Sequence, residues 1–453
     1  MAGLTAESRS QMMLEMPISR VIPRLAVPTI ISMLITSIYN IADTFFVSQL
    51  GTSASGAVGV VFSAMSLIQA LAFTIGMGCG ANASRQLGAG NREEAARFVN
   101  TGFFSALIVG TLVGGLGLIF LKPFVRFLGA TETIAPYAED YAFWIFAATP
   151  FMMASLVLNN NLRFQGMATY AMVGMTTGGI LNMVVDPLLI FGLNMGAMGA
   201  GISTALSQVV SFVILLLMCN TRSACISIRF RDFSPSVRRF WQILYNGAPS
   251  LGRQGIASIS TILLNNTAAA WGDPAIAAMS IVSRFVLFIN STVVGFGQGF
   301  QPVCAFCYGA GKYSRVREAY SFCLKVATII LVVLAGISLL FAGPIVALFR
   351  DDPEVLSIGT FALQAQLITM PLWGLITMSN MFTQSIGYGV RATIVAASRQ
   401  GICLIPVLLV LPRIMGITGL QIAQPVADVL SFVLSILIVQ SILKEMKQMK
   451  DRE

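Results

Sequence analysis

Apolar stretches of about 20 residues recur along the whole length of this chain. A helix of that length crosses about 30 Å of hydrocarbon, since each residue adds about 1.5 Å. Of the 453 residues, 56% are hydrophobic and only 10% are charged, whereas soluble proteins carry about 25% charged residues. The bilayer must therefore act as the solvent. We expect an all-α polytopic membrane protein without a soluble domain.

The breaks between the apolar stretches predict twelve transmembrane helices. They are expected near residues 26–50, 57–80, 98–121, 138–158, 169–192, 198–218, 246–270, 276–302, 320–342, 357–380, 391–411 and 418–441. The segment before the first span lacks the apolar core and small-residue cleavage site of a signal peptide, so the first span should serve as the insertion signal.

The basic residues predict the orientation of these helices. The formal net charge is +9, but the basic residues are scattered through short loops, which gives no reason to expect a nucleic-acid partner. If the N-terminus is cytoplasmic, 20 of the 28 Lys and Arg fall on the inner side, Arg222 and Arg452 among them. The positive-inside rule then places both termini in the cytoplasm. We expect a monomer in the bacterial cytoplasmic membrane.

An internal repeat divides the chain into two halves whose motifs match at a nearly constant offset. The Gly-x-Gly-x-Gly run at 76–80 recurs at 295–299, and Gly-Ala-Gly at 88–90 recurs at 309–311. Six helices per repeat is an even number, so both halves enter the membrane in the same direction. Paired bundles of this kind rock about a central site in many secondary transporters.

The repeat predicts two pseudo-symmetric six-helix bundles. The N-lobe is expected at residues 1–219 and the C-lobe at 242–453, joined by a basic cytoplasmic linker at 220–241.

Two carboxylates are the main candidates for chemistry inside the membrane, because an ionisable group at the bilayer centre costs roughly 2.5 to 3.5 kcal/mol even on lenient scales. Asp43 and Asp186 lie equally far into two outward-running spans, and therefore at matching depth. Thr204 on the returning span reaches that layer, and Asn182 lies one turn from Asp186. These oxygen atoms suit a hard cation such as Na⁺, and the carboxylate pair would equally hold a proton. The alternative is that the two carboxylates have structural roles only.

Charged residues in the second half have a different pattern. The second-half positions equivalent to Asp43 and Asp186 carry no carboxylate, so the coupling site is expected in the first half alone. Arg284 and Asp428 are predicted at similar depth and are expected to form a structural ion pair, because buried charges are usually compensated.

These features together resemble the multidrug and toxic compound extrusion (MATE) family, and within it the bacterial MepA-like and DinF-like members. The resemblance covers nearly the whole chain. It rests on Val27-Pro28, on Tyr39-Asn-Ile-Ala-Asp-Thr44, on the repeated glycine runs and on Asn182-x-x-x-Asp186-Pro187.

The resemblance implies a secondary antiporter that works by alternating access and expels organic cations and amphipathic drugs in exchange for H⁺ or Na⁺. It implies that Asp43, Asn182, Asp186 and Thr204 form the cation site. It also implies that Met33, Tyr39 and Asn159 lie near the drug cavity. No cofactor, metal or nucleic acid is expected beyond the coupling ion.

The chain departs from the NorM-like pattern, in which helices 7 and 10 carry acidic residues for a cation site in the second lobe. Here those helices have Arg253, Asn265-Asn266 and Met378 to Asn380 instead. We therefore expect no coupling through the second lobe.

Three other functions are less consistent with the sequence. A lipid-linked oligosaccharide flippase of the same superfamily usually has fourteen helices and several cavity arginines. A channel would conduct without obligatory exchange. A membrane-embedded enzyme needs a metal or nucleophile cluster, which we do not find, and the chain is not expected to be an enzyme.

Overall fold

The computed structural model describes residues 5–221, 224–350 and 352–451, and Arg222 and Arg452 lie outside these ranges. The described residues form helices joined by short turns, without a strand. The helices are α1 Ala6–Glu15, α2 Ile18–Ser48, α3 Thr52–Gly88, α4 Arg92–Ile119, α5 Leu121–Phe127, α6 Ala135–Phe164, α7 Ala168–Pro187, α8 Gly196–Cys219, α9 Val237–Ala268, α10 Asp273–Gly309, α11 Tyr313–Leu340, α12 Ala342–Phe349, α13 Pro353–Thr369, α14 Leu372–Ile386, α15 Gly389–Ala397, α16 Leu404–Met415 and α17 Ile417–Gln448. Short π-helical turns follow α7 at Leu188–Gly192 and α15 at Ser398–Ile402.

The all-α polytopic fold is confirmed. Within the described ranges, ten helical segments are long and apolar enough to cross a membrane, and α15, its π turn and α16 count as one of them. An eleventh consists of α13 and α14, which meet at an angle of 58°. The remaining predicted span, residues 246–270, corresponds to the second part of α9, which ends at Ala268.

Helix α9 is long enough to cross a bilayer but carries more polar side chains than the other spans. It has 32 residues, or about 48 Å at 1.5 Å per residue. Its polar side chains bond to neighbouring helices: Asn246 donates to Asn82 Oδ1 (3.0 Å), Arg253 donates to Asn380 Oδ1 (3.3 Å), and Ser260 donates to a backbone carbonyl beside α15. Each of these three side chains thus donates a hydrogen bond inside the protein, as a low-dielectric surrounding favours.

The repeat reappears in three dimensions in the register found in the sequence. The short helices α5 and α12 begin at Leu121 and Ala342, which are equivalent positions of the two halves. Asn159 Nδ2 donates to the carbonyl of Ala171 (3.0 Å), and the equivalent Asn380 Nδ2 donates to that of Ala392 (2.9 Å). The same tertiary contact therefore occurs once within each half. The exact boundaries of the halves and the limits of the linker stay a prediction.

The two halves meet at the side of the molecule that holds the linker residues 224–236, which we call the linker face. A Cβ added at Gly88 would overlap the carbonyl oxygen of Phe306, and one added at Gly309 would overlap that of Arg85. These contacts are reciprocal, because the repeat makes Gly88 equivalent to Gly309 and Arg85 equivalent to Phe306. The Arg85 side chain adds a bond to the carbonyl of Ser385 across the interface (2.9 Å). The Gly-Ala-Gly repeat therefore permits the backbones of α3 and α10 to touch.

Contact between the halves decreases toward the opposite face. Thr29 Oγ1 donates to the carbonyl of Gly295 (2.6 Å), and the hydroxyls of Ser37 and Ser291 lie 3.0 Å apart. Among the described residues, no hydrogen bond between α2 and α10 lies farther from the linker face than this serine pair. The conformation is closed at the linker face.

We expect Gly88→Ala and Gly309→Ala to destabilise the protein, although alanine normally favours a helix over glycine. The added methyl group would push α3 and α10 apart, and overpacking of this kind costs about 1 to 3 kcal/mol. The measurement is the apparent Tm in detergent. Gly115→Ala and Gly336→Ala are matched controls, because an added Cβ there meets nothing within 4 Å. Equal melting of all four variants would contradict the close-contact interpretation.

Candidate functional site

The structure brings together the four residues predicted to form a cation site. Asp43 lies near the end of α2, Asp186 is the penultimate residue of α7, and Thr204 lies in the following helix, α8. Asn182 Nδ2 is 3.3 Å from Asp186 Oδ1 and 3.4 Å from Thr204 Oγ1. The carboxyl groups of Asp43 and Asp186 lie within hydrogen-bonding reach of each other. Helical rise indicated a common depth for these residues and the structure places them together, while their role as a cation site stays a prediction.

Several oxygen atoms of this cluster have no hydrogen-bond donor. Asp43 Oδ1, Asn182 Oδ1 and Asp186 Oδ2 are buried and unpartnered. Asp186 is fully buried, and no Lys or Arg among the described residues forms an ion pair with either carboxylate. Two adjacent carboxylates in a low dielectric cannot both stay charged unless they share a proton or a cation. The cluster is thus chemically suited to bind one or the other.

The backbone changes pitch directly beside the cluster. Pro187 follows Asp186, and the π-helical turn Leu188–Gly192 begins immediately afterwards. Proline has no N–H to donate to the preceding turn, and single π turns inside helices frequently occur at functional sites. Asp186 therefore lies where α7 is least regular.

Two members of the cluster were missed by the sequence analysis. Ser203 lies 3.2 Å from Asn182 Nδ2 and returns a bond to the Asn182 carbonyl. The hydroxyl of Tyr141 on α6 lies near Thr204 and 3.7 Å from the sulfur of Met65. Tyr141 lies less than two turns from the outer end of α6, so the depth argument applied to α6 would have found it.

The residues expected near the drug cavity are spread over two helices. The ring of Tyr39 packs against Gly179 of α7, where an added Cβ would lie 3.2 Å from Tyr39 Cδ1. Met33 is half-buried on α2. The Asn159 amide donates one N–H to the backbone of α7, which leaves its second N–H and its oxygen for a ligand. A role of these residues in drug binding stays a prediction.

The ion pair expected between Arg284 and Asp428 is wrong. Asp428 is fully buried and instead pairs with Arg399, whose Nε lies 2.8 Å from Asp428 Oδ1, and among the described residues no ion pair joins it to Arg284. Arg284 is exposed on α10. The guanidinium of Arg399 also stacks over the ring of Trp373, 3.7 Å from its centroid. Helical rise fixes depth but not rotation about the axis, which is why the wrong arginine was chosen.

The Asp428 carboxylate also joins the two parts of the bent eleventh span. Thr369 ends α13 and Trp373 lies in the first turn of α14, and both donate to Asp428 Oδ2, at 3.2 and 2.6 Å. Gln424 donates to the other oxygen at 3.0 Å. Both oxygens of the Asp428 carboxylate therefore accept hydrogen bonds. This cluster stabilises the bend and leaves no carboxylate oxygen open to a ligand.

Comparisons with known proteins agree with this arrangement. The sequence model of the MatE family matches residues 28–188 and again 249–410. The multidrug export protein MepA of Staphylococcus haemolyticus (strain JCSC1435) is 26% identical over 429 residues, covering 94% of each chain. A FAD transporter of Shewanella oneidensis is 25% identical over 439 residues, covering 96% of this chain and 97% of the relative.

A solved structure of a MATE family transporter agrees with the family match. A multidrug resistance MATE family transporter of the MOP superfamily, in an outward-facing conformation, superposes with a TM-score of 0.92 at 26% identity. The match covers 97% of this chain and 99% of that chain.

We expect Arg399→Gln or Asp428→Asn to destabilise the protein by about 3 to 5 kcal/mol, because either change leaves a buried group without its partner. The double variant should lose less than the sum of the single variants, since neither charge then remains unpaired. Arg284→Gln is the matched control and should melt like the wild type. Thermal unfolding in detergent measures all four. A larger loss for Arg284→Gln than for Arg399→Gln would restore the pairing predicted from the sequence.

Proposed function

Because this chain belongs to the MatE family, we propose that it is a secondary antiporter that exports amphipathic small molecules in exchange for H⁺ or Na⁺. It is a multi-pass membrane protein whose relatives are transporters rather than enzymes. The observation that carries the antiport proposal is the buried carboxyl pair of Asp43 and Asp186, with an unpartnered oxygen on each.

Coupling would work through the two helices that the pair connects. A proton or Na⁺ held between Asp43 on α2 and Asp186 on α7 removes the repulsion between the carboxylates, and so draws these helices together. Loss of the cation restores that repulsion and favours a wider spacing. A ligand shifts an equilibrium only by its differential affinity for the two states. Exchange follows if cargo prefers the wider spacing and the cation prefers the narrower one.

The direction of transport follows from the charge distribution. We place the linker face in the cytoplasm, with both termini, because most of the basic residues gather there. The closed linker face then corresponds to a state that opens away from the cytoplasm, toward the side on which cargo is released. The protein would work as a monomer in the bacterial cytoplasmic membrane, its halves rocking about the glycine contact.

The proposed cargo is broader than organic cations alone. Met33, Tyr39 and Asn159 offer a sulfur, a ring and an amide oxygen on helices that also carry or adjoin the carboxyl pair, a set that suits varied amphipathic drugs. One relative is a FAD transporter, so we extend the cargo to amphipathic molecules without restricting the sign of their charge.

We expect Asp43→Asn and Asp186→Asn each to abolish coupled efflux, because an amide holds neither the proton nor the cation that the pair shares. The measurement is ethidium efflux from proteoliposomes under an imposed gradient. Asp140→Asn removes an exposed carboxylate near the start of α6 and should transport at the wild-type rate. Normal gradient-driven efflux by either pair variant would rule out the proposed coupling site.

The coupling ion is identified by imposing one gradient at a time on the wild-type protein. If the pair exchanges a proton, an outside-acid pH gradient drives efflux and an inward Na⁺ gradient at constant pH does not. If it exchanges Na⁺, the reverse holds. Gradient-driven efflux of either kind should be lost in the Asp43→Asn variant. Efflux that needs neither gradient would exclude antiport and leave a channel-like pathway.

A further inference from the structure

A short helix lies against the linker face, ahead of the first membrane span. Helix α1 (Ala6–Glu15) has ten residues and is therefore about 15 Å long, too short to cross a bilayer. Its side chains Arg9, Met12 and Met13 are buried and share one helical face, whereas Gln11 on the opposite face is exposed. Helix α1 thus packs one face on the protein and turns the other to solution.

Helix α1 is attached to the first half and to the linker. The terminal methyl group of Met13 packs on Gly166, in the turn between α6 and α7, where an added Cβ would lie 2.5 Å from it. Arg9 Nη2 donates to the sulfur of Cys225 in the linker (3.5 Å). The linker is itself bound to the first half at this point, because Arg92 of α4 donates to the Cys225 carbonyl (3.0 Å).

The same helix is also attached to the second half. Arg315 of α11 donates from Nε to the carbonyl of Met13 (2.9 Å) and from Nη2 to the carbonyl of Met16. The thiol of Cys307 in α10 donates to the Met13 carbonyl as well (3.5 Å). Met12 belongs to a hydrophobic cluster built mostly from second-half residues. Helix α1 therefore contacts both halves at once.

The internal repeat explains what α1 adds at this face. Gly387 is equivalent to Gly166, and it is covered by the guanidinium group of Arg85, which reaches across from the first half. The second-half equivalent of Arg85 is Phe306, whose side chain has no donor for the reciprocal contact. Helix α1 covers Gly166 instead and is joined to the second half through Arg315. It thus supplies the cross-half contact that the repeat lacks.

We propose that α1 is a strap that holds the linker face closed and must detach from one half before that face opens. Opening moves the Gly166 turn away from Arg315, and one short rigid helix cannot stay bound to both. A strap that binds both halves only in the closed state favours that state by its differential affinity. The strap rests on the proposed function only in that the halves move relative to each other.

Two native thiols report detachment at the two ends of the strap, since Cys225 and Cys307 are buried in contact with α1. We expect Met13→Ala to raise the rate at which a polar maleimide labels Cys225 about tenfold, because a buried methionine contact is lost. Arg315→Met should raise labelling of Cys307 about tenfold, because two hydrogen bonds from a charged group are lost. The detergent-purified full chain is labelled, and peptide mass spectrometry identifies each cysteine.

Each strap variant has a matched control. Gln11→Ala changes the exposed face of α1, and Arg317→Met changes α11 at a side chain that donates to Ser314. Both controls should be labelled like the wild type. Cys79 and Cys323 are fully buried in the two halves and should stay protected in every variant. Labelling of these two thiols as fast as the strap thiols would overturn the proposal, because the whole fold would then have loosened.

The separation of the halves is measured by double electron–electron resonance. Ketone-bearing residues at the exposed positions Glu93 of α4 and Glu318 of α11 carry the spin labels, so that all cysteines stay native. Met13→Ala and Arg315→Met should each add a population with a longer distance, and the two controls should not. Faster thiol labelling with unchanged distances overturns the strap, because α1 would then cover the face without closing it. Wild-type labelling in both variants overturns it as well.

These measurements are independent of the coupling proposal, because they need neither a gradient nor a cargo. Asp43→Asn should abolish coupled efflux and still show the same increase in Cys225 labelling when Met13→Ala is added. The strap can therefore fail while antiport holds, and antiport can fail while the strap holds.

Discussion

The two halves of this protein meet through backbone atoms, and the rest of the structure depends on that contact. Gly88 lies against the carbonyl of Phe306, and Gly309 lies against that of Arg85. Only glycine permits this approach, since any Cβ would overlap the opposing carbonyl. A reciprocal contact between identical motifs joins the halves at one face and leaves them free to separate at the other. This is the geometry that a pair of rocking bundles requires.

The same repeat holds different chemistry in its two halves. In the first half, Asp43 and Asp186 share unpartnered oxygens beside a π-helical turn. In the second half, the buried carboxylate of Asp428 is saturated by Arg399 and by Trp373. An unsatisfied pair of like charges changes its energy when a cation binds, whereas a satisfied ion pair has little to gain. The first half therefore holds the carboxyl pair whose energy a bound cation would change, and the second half holds a compensated charge.

Most of the fold was predictable because its signals are local. Apolar length indicated the spans, and the repeated glycines indicated the division into halves. The apolar run near residues 246–270 also predicted a span in what proved to be α9, although this helix carries more polar side chains than the other spans. The angle of 58° between α13 and α14 was not foreseen. Pro150 and Pro371 are repeat-equivalent, yet α6 remains one continuous helix, whereas the second-half bend has Asp428 bonded to both of its sides.

The sequence by itself determined the class of protein, the repeat, and the depth of each ionisable group, because helical rise converts position into distance along the membrane normal. That was sufficient to bring Asp43, Asn182, Asp186 and Thr204 into one layer. Only the tertiary structure decided which groups in a layer face each other, since this depends on the rotation and neighbours of every helix. Hence Asp428 pairs with Arg399 rather than Arg284.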